Sequence, residues 1–372
     1  MYIEAQNLSN ALVKISKRLM ESGVKVLRRG FLCTEFPGAV LIKINNPTDR
    51  YVRIPQRKWN KYLGWIESLW LASGENDLEM PAAYVKNLMS FSDNGITMRA
   101  GYGPRIRNYG QYVTDFVGQR RVLRQYHEKY DPNVRKFGID QLEFVIEKFK
   151  EDMGTREAVI TIHDPIADDF AFDITEDDSR AIKTMLHTKD TPCTRSIHFM
   201  IVDGKMNCYV DIRSNDIVWG FSAVNVFNFT LMQEYVAAMV GVPVGVYYHK
   251  ADNLHVYADF VPMLQEIAEN YDEDTFVEGE RFEYFNPEHD RITLAEFDTY
   301  IKILREFEAN CRGDKDLPYS EAEAMAVINN IKPLMFQDWA ILIYNYWFRR
   351  TDERGLLPFT NPLLNSLFGL VK

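Results

Sequence analysis

Apolar residues recur at three- and four-residue steps over 8–20, with Gly23 as a stop, and predict an amphipathic helix. The same period over 140–153 puts Leu142, Val145, Ile146 and Phe149 on one face. Residues 62–72 are apolar nearly throughout and read as a buried helix ending near Gly74. Residues 39–44 and 196–202 have strand composition, and Asp203-Gly204 is a hairpin signal leading into a return strand over 206–213. Ser222 is placed to cap a helix whose Val226, Phe227, Thr230, Leu231, Glu234, Tyr235, Ala238 and Met239 follow helical spacing up to Gly241. Residues 244–248 and 254–258 read as a strand pair joined by His249-Lys250-Ala251-Asp252. Thr293-Leu294-Ala295-Glu296 and Ser320-Glu321-Ala322-Glu323 are capping boxes, opening helices to about Asn310 and about Ile331. Residues 337–349 predict one more helix. Residues 109–135 lack a clear period and read as a surface insertion. The acidic Glu176-Asp177-Asp178 falls in a loop.

The 372-residue chain is 46% hydrophobic and 26% charged, the balance of a soluble globular protein with a large core. It has no apolar run of about 18 residues, so no membrane span is expected. The N-terminal residues lack the basic-then-apolar pattern of a signal peptide. Four widely spaced cysteines, Cys33, Cys193, Cys208 and Cys311, fit a cytoplasmic protein with no metal knuckle. A net charge of −10 argues against direct nucleic-acid binding. A small anionic substrate remains open, because a few converging arginines suffice to hold one.

The chemistry-bearing residues concentrate between Cys193 and Tyr257. Pro192-Cys193 is followed by Arg213-Ser214-Asn215-Asp216, Gly220, Asn225, Val244-Gly245 and His255-Val256-Tyr257. No one piece is specific, but the ordered set with these spacings resembles the thymidylate synthase family, which includes the pyrimidine nucleotide hydroxymethylases. The resemblance covers roughly residues 8–259. It implies an α/β fold with a mixed sheet and packed helices. The expected organisation is a catalytic domain over 1–260 and a mainly helical extension over 261–372, packed on it.

The resemblance also implies a mechanism. A pyrimidine is a poor nucleophile at C5 until a thiolate adds at C6. Cys193 is the candidate nucleophile. A free thiol has a pKa of about 8.5, and Arg213 on the neighbouring hairpin strand is suited to lower it while also binding phosphate. Ser214, Arg156 and Arg29 complete the implied phosphate site. Arg29 stands in a basic Arg28-Arg29-Gly30 run that reads equally as a solvated charge run. Arg156 matches the first of two family arginines that reach across a dimer; Glu157 replaces the second. Asp216 matches the acid that contacts the folate pterin, with Gly220 beside it. Asn225 matches the amide that reads the base edge, offering a donor and an acceptor to uracil O4 and N3–H. A flipped amide also fits cytosine. His255 and Tyr257 share one side of a strand and match the pair that binds the sugar hydroxyl. His198 and His249 lack such support and read as structural. Glu67 lies in Glu67-Ser68-Leu69-Trp70 and matches a glutamate that orders water, where burial would raise its pKa. Tyr102 in Gly101-Tyr102-Gly103 matches the tyrosine that assists proton removal; Tyr109-Gly110 fits the same motif.

The implied cosubstrate is 5,10-methylenetetrahydrofolate, with no metal. The implied partners are a pyrimidine deoxynucleoside monophosphate, dUMP favoured, and a second subunit in a homodimer. The family's histidine after the nucleophile is Thr194 here, its tryptophan-rich segment before the Tyr-Gly motif has no match, and its short apolar C-terminal segment is replaced by helices. These departures lean toward water capture and 5-hydroxymethyl-dUMP. The alternatives are reductive methylation to dTMP, hydroxymethylation of dCMP, and a non-catalytic nucleotide-binding relative.

Overall fold

The computed structural model describes residues 1–109, 138–173, 182–185, 187–279, 281–286, 290–313, 318–350 and 354–370. The chain divides into two compact units, Met1–Leu69 with Phe199–Lys372, and Trp70–His198. Most of the stretch read as an insertion, and the acidic run 176–178, lie outside the described residues.

The first unit holds two sheets. In one, β1 (Tyr2–Ala5) runs parallel to β4 (Val40–Ile44), β4 antiparallel to β11 (Val244–Ala251), and β11 parallel to β9 (Lys205–Ile212). This is the mixed sheet of an α/β fold. In the other, β10 (Asn215–Asp216) runs parallel to β12 (Leu254–Tyr257). Next to β12 comes β3 (Phe31–Glu35), antiparallel to it and to β2 (Val24–Arg28). Asp203 and Gly204 have φ of 50° and 72°, so the turn before β9 has the left-handed backbone that matches strand twist.

Two sequence expectations fail here. β11 does not pair with β12. Its two edges are taken by β9 and β4, so the strand runs on through His249 to Ala251, and β12 joins the other sheet. Nor does Ser222 cap a helix. It is buried inside a π-helical segment, Ile217–Asn225, that precedes the helix Val226–Val240. The cap is Asp216, whose carboxylate accepts from the Val218 and Trp219 N–H groups. Ser222 instead accepts a bond from Arg57 Nε at 2.9 Å. Gly241 ends the helix at φ 84°, as expected.

Helix Leu63–Ala72, which carries Glu67, begins against helix Val226–Val240. A Cβ on Gly64 would lie 2.6 Å from Phe227 Cγ, so only glycine permits this approach. Trp65 packs edge-on against both Phe227 (5.4 Å) and Trp339 (5.3 Å), and Trp339 Nε1 donates to the Trp65 carbonyl at 2.9 Å. Helix Leu334–Tyr344 is thereby tied to the Glu67 helix. Both capping boxes form, at Thr293 before Leu294–Arg312 and at Ser320 before Glu321–Asn330. A buried ion pair, Arg50–Glu234 at 2.5 Å, anchors the middle of helix Val226–Val240.

In the second unit, Asp140 caps helix Gln141–Glu151, and Leu142, Val145, Ile146 and Phe149 are all buried. β5 (Val159–Thr161) pairs antiparallel with the start of β8 (Thr194–Val202). β6 (Phe170–Asp173) and β7 (Ile182–Met185) form a separate pair. The short helix Tyr102–Arg107 is held by the buried Arg105, whose two terminal nitrogens each lie 2.7 Å from Asp168. No helix among the described residues is long and apolar enough to cross a membrane.

Candidate active site

Cys193 is half-buried immediately before β8. Tyr102, at the start of its helix, accepts from the Thr194 N–H at 3.1 Å. Burial, followed by the neighbouring Cys193, pushes the Tyr102 phenol well above its usual range. Three residues before the cysteine, Asp190 accepts from the Ala100 N–H at 2.7 Å, and burial raises its carboxyl to about 6. Two short links therefore join the cysteine loop to the segment that presents Tyr102. Thr194 is buried, and its hydroxyl has no partner among the described residues. Tyr109, the rival tyrosine, donates to Asp164 at 3.1 Å.

Within the first unit, Glu67 accepts from Asn228 Nδ2 at 2.9 Å, and Asn228 Oδ1 accepts from Ser68 Oγ at 2.8 Å. Burial lifts the Glu67 carboxyl to about 7, with the Asn228 bond pulling the other way. The group is thus poised to give or take a proton near neutrality.

The parallel bridge β10–β12 sets Asp216 opposite His255. One Asp216 oxygen is committed to the cap; the other is buried without a partner among the described residues, and burial raises this carboxyl. His255 Nδ1 is likewise buried and unpartnered among the described residues. Burial lowers the imidazole, with Asp216 and Glu35 opposing. Leu254 and Val256 face the core, whereas His255 and Tyr257 share the more open side with rings 5.4 Å apart. Arg213 follows β9, and Ser214 donates to Asn253 at 3.2 Å.

Asn225, the last residue of the π segment, accepts from Asn215 Nδ2 at 2.8 Å. Asn215 Oδ1 in turn lies 2.9 Å from His249 Nε2, and His249 Nδ1 lies 2.9 Å from the Tyr247 hydroxyl. Gly220 sits over the first of these contacts: a Cβ there would be 2.3 Å from Asn215 Nδ2. Arg29 and Gly30 form the exposed tip of the β2–β3 hairpin, with φ of 50° and 85°. Among the described residues Arg28 rather than Arg29 is ion-paired, to Glu35 at 2.6 Å. Arg156 is exposed in the turn before β5, and Glu157 pairs with Lys148 at 2.9 Å.

Asn215 and Asn228, which the sequence did not single out, and His249, which it reads as structural, contact candidate site residues directly or through one another. Asn228 stands one helical step from Asn225, a signal that was available. Asn215 and His249 gave none, because their meeting depends on which sheet each strand joins.

A family model described as thymidylate synthase matches residues 44–303, more than two thirds of the chain. The chain is 34% identical over 221 residues to the deoxyuridylate hydroxymethyltransferase of Bacillus phage SP01, covering 59% of this chain and 49% of that protein. It is 28% identical over 268 residues to the protein of the same name from Pseudomonas phage M6, covering 72% and 64%. A thymidylate synthase 1 of Bacillus spizizenii is 25% identical over 137 residues, covering 37% and 43%. The chain thus spans between about half and two thirds of the length of the two phage relatives. By the extent of the family match and the mixed-sheet fold, the chain belongs to the thymidylate synthase family.

Proposed function

We propose that the protein transfers a one-carbon unit to C5 of dUMP through a covalent adduct between Cys193 Sγ and ring C6, and that water completes the product as 5-hydroxymethyl-dUMP. The observation that carries the hydroxymethyl reading is the similarity to two phage proteins named deoxyuridylate hydroxymethyltransferase. The departure at Thr194 supports it: the residue after the nucleophile is a buried threonine in place of the family's histidine.

In this reading the Cys193 thiolate adds to C6 and gives C5 the electron density to bond the incoming carbon. Tyr102 assists loss of the C5 proton, tetrahydrofolate departs as the leaving group, and water adds to the exocyclic carbon it leaves behind. Glu67, half-ionised near pH 7, passes protons to and from the ring and its water. Asn225 reads the base edge. His255 and Tyr257 hold the sugar, and Arg213, Ser214, Arg29 and Arg156 hold the phosphate. Arg156 does so across a homodimer, consistent with its exposure. Release of the Cys193 thiolate from C6 restores the aromatic ring.

5,10-Methylenetetrahydrofolate supplies a carbon at the oxidation level of formaldehyde. The residues suit it: the free oxygen of Asp216 is a buried acceptor that the N–H donors of a pterin would satisfy, and Gly220 lies close by in sequence. The catalytic domain in this reading is residues 1–260, with 261–372 as a helical extension.

A second reading, reductive methylation to dTMP, is favoured by the family description and the Bacillus relative. Incubation with dUMP and methylenetetrahydrofolate, followed by mass spectrometry, separates the two. 5-Hydroxymethyl-dUMP without dihydrofolate is expected; dTMP with equimolar dihydrofolate overturns the hydroxymethyl reading.

A further inference from the structure

We propose that Tyr247, His249 and Asn215 form a hydrogen-bonded relay that fixes which way the Asn225 amide faces, and so makes the site select uracil over cytosine. The proposal rests on the reading of Asn225 as the base-reading residue.

The relay is directional. His249 is fully buried, and its imidazole is pushed down to about 3, so it is neutral and carries one N–H. Phe221 stands edge-on to its ring at 5.0 Å, an apolar wall that offers no competing partner. The Tyr247 hydroxyl lies 2.9 Å from Nδ1; in the proposed relay it donates there, which puts the imidazole proton on Nε2. Nε2–H then donates to Asn215 Oδ1 at 2.9 Å. With its oxygen taken, Asn215 has only N–H to offer, and it donates to Asn225 Oδ1 at 2.8 Å.

Asn225 is thereby oriented. Its oxygen faces Asn215 with one lone pair to spare, and its NH₂ faces the other way. That edge donates to a 4-keto oxygen and accepts from an N3–H, the pattern of uracil. Cytosine presents an amino donor and a bare N3, the reverse. Reading it requires the Asn225 amide to flip, which sets two NH₂ groups against each other at a part-buried contact whose Asn215 side is buried. A buried donor left without an acceptor is costly. Gly220 completes the arrangement: a Cβ there would lie 2.3 Å from Asn215 Nδ2 and 2.8 Å from Asn225 Oδ1, wedged into the contact.

The test is the ratio of dUMP to dCMP affinity, measured by calorimetry on the full chain, with kcat/KM alongside. The wild-type protein is expected to prefer dUMP. Asn215→Asp presents only acceptors, turns the Asn225 amide around, and should lower the ratio at least about 10-fold. Tyr247→Phe, nearly isosteric and safer for folding, frees the His249 tautomer and should lower the ratio by a smaller factor. Nitrogen-15 NMR of His249 should show the proton on Nε2. Folded variants that lose dUMP and dCMP binding equally, or a proton on Nδ1, would overturn the relay while leaving the functional reading intact. A wild-type protein that binds neither nucleotide would overturn the functional reading and this one with it.

Discussion

Asn228 holds Glu67. The amide nitrogen lies 2.9 Å from the carboxylate, and Ser68 fixes the amide's other end at 2.8 Å. The carboxyl therefore cannot swing away from the environment that raises it to about 7.

This raised value makes Glu67 a stability cost at high pH. The folded state binds the proton more tightly than the unfolded chain does, so its contribution is complete below the ordinary glutamate value and is lost as pH rises through about 7. Glu67→Gln removes the dependence. Denaturant titrations should find the variant close to wild type near pH 4.5 and more stable by up to about 3 kcal/mol at pH 8. Its turnover should fall by about 10²-fold or more, the usual worth of a proton-transfer group. A variant with wild-type turnover, or with no pH-dependent gain, would contradict this account.

Gly64→Ala drives a methyl group into the Phe227 ring. Overpacking of this kind costs about 1–3 kcal/mol. Because the same helix presents Glu67 and Ser68 to Asn228, kcat should drop along with the melting temperature. A variant that melts early but turns over normally would separate the packing from the chemistry.

In the proposed reaction Asp216 has two jobs, the helix cap on one oxygen and the pterin on the other. Asp216→Asn keeps a cap acceptor for the Val218 and Trp219 N–H groups but can offer the pterin a donor in place of the free acceptor. Thermal stability should change by less than about 1 kcal/mol, while KM for the folate rises and KM for dUMP stays near wild type. Asp216→Ala should lose both stability and folate affinity.

Cys193→Ala removes the proposed nucleophile. Turnover should fall by at least about 10³-fold. Intact-protein mass spectrometry with 5-fluoro-dUMP and methylenetetrahydrofolate should show a covalent adduct on wild type, because fluorine cannot leave as a cation. The variant should show none; an adduct retained without Cys193 would move the nucleophile elsewhere.

Much of this architecture is legible in the sequence because it is local. The buried face of helix Gln141–Glu151, the turn at Asp203-Gly204, both capping boxes and the shared side of His255 and Tyr257 follow from period and turn chemistry. What escapes is non-local. The extension of β11 through His249 is decided by two flanking strands drawn from distant parts of the chain. The π segment before Val226 depends on a carboxylate cap six residues upstream of the serine that looked like one. Glu67 and Asn228 are 161 positions apart, so their pairing leaves no trace in spacing. Asn215 reads as a spacer between Ser214 and Asp216 until its side chain is seen in the core.

The indole bond from Trp339 to the backbone of Trp65 has a bearing on how the protein can be shortened. Cutting the chain at Asn330 would strip one wall from the hydrophobic chamber in which Trp65 and Phe227 sit, and water would reach the helix that holds the Glu67 carboxyl. The acid would relax toward ordinary glutamate behaviour. A far-off deletion would then surface as an altered pH profile, well before it registered as an unfolded polypeptide.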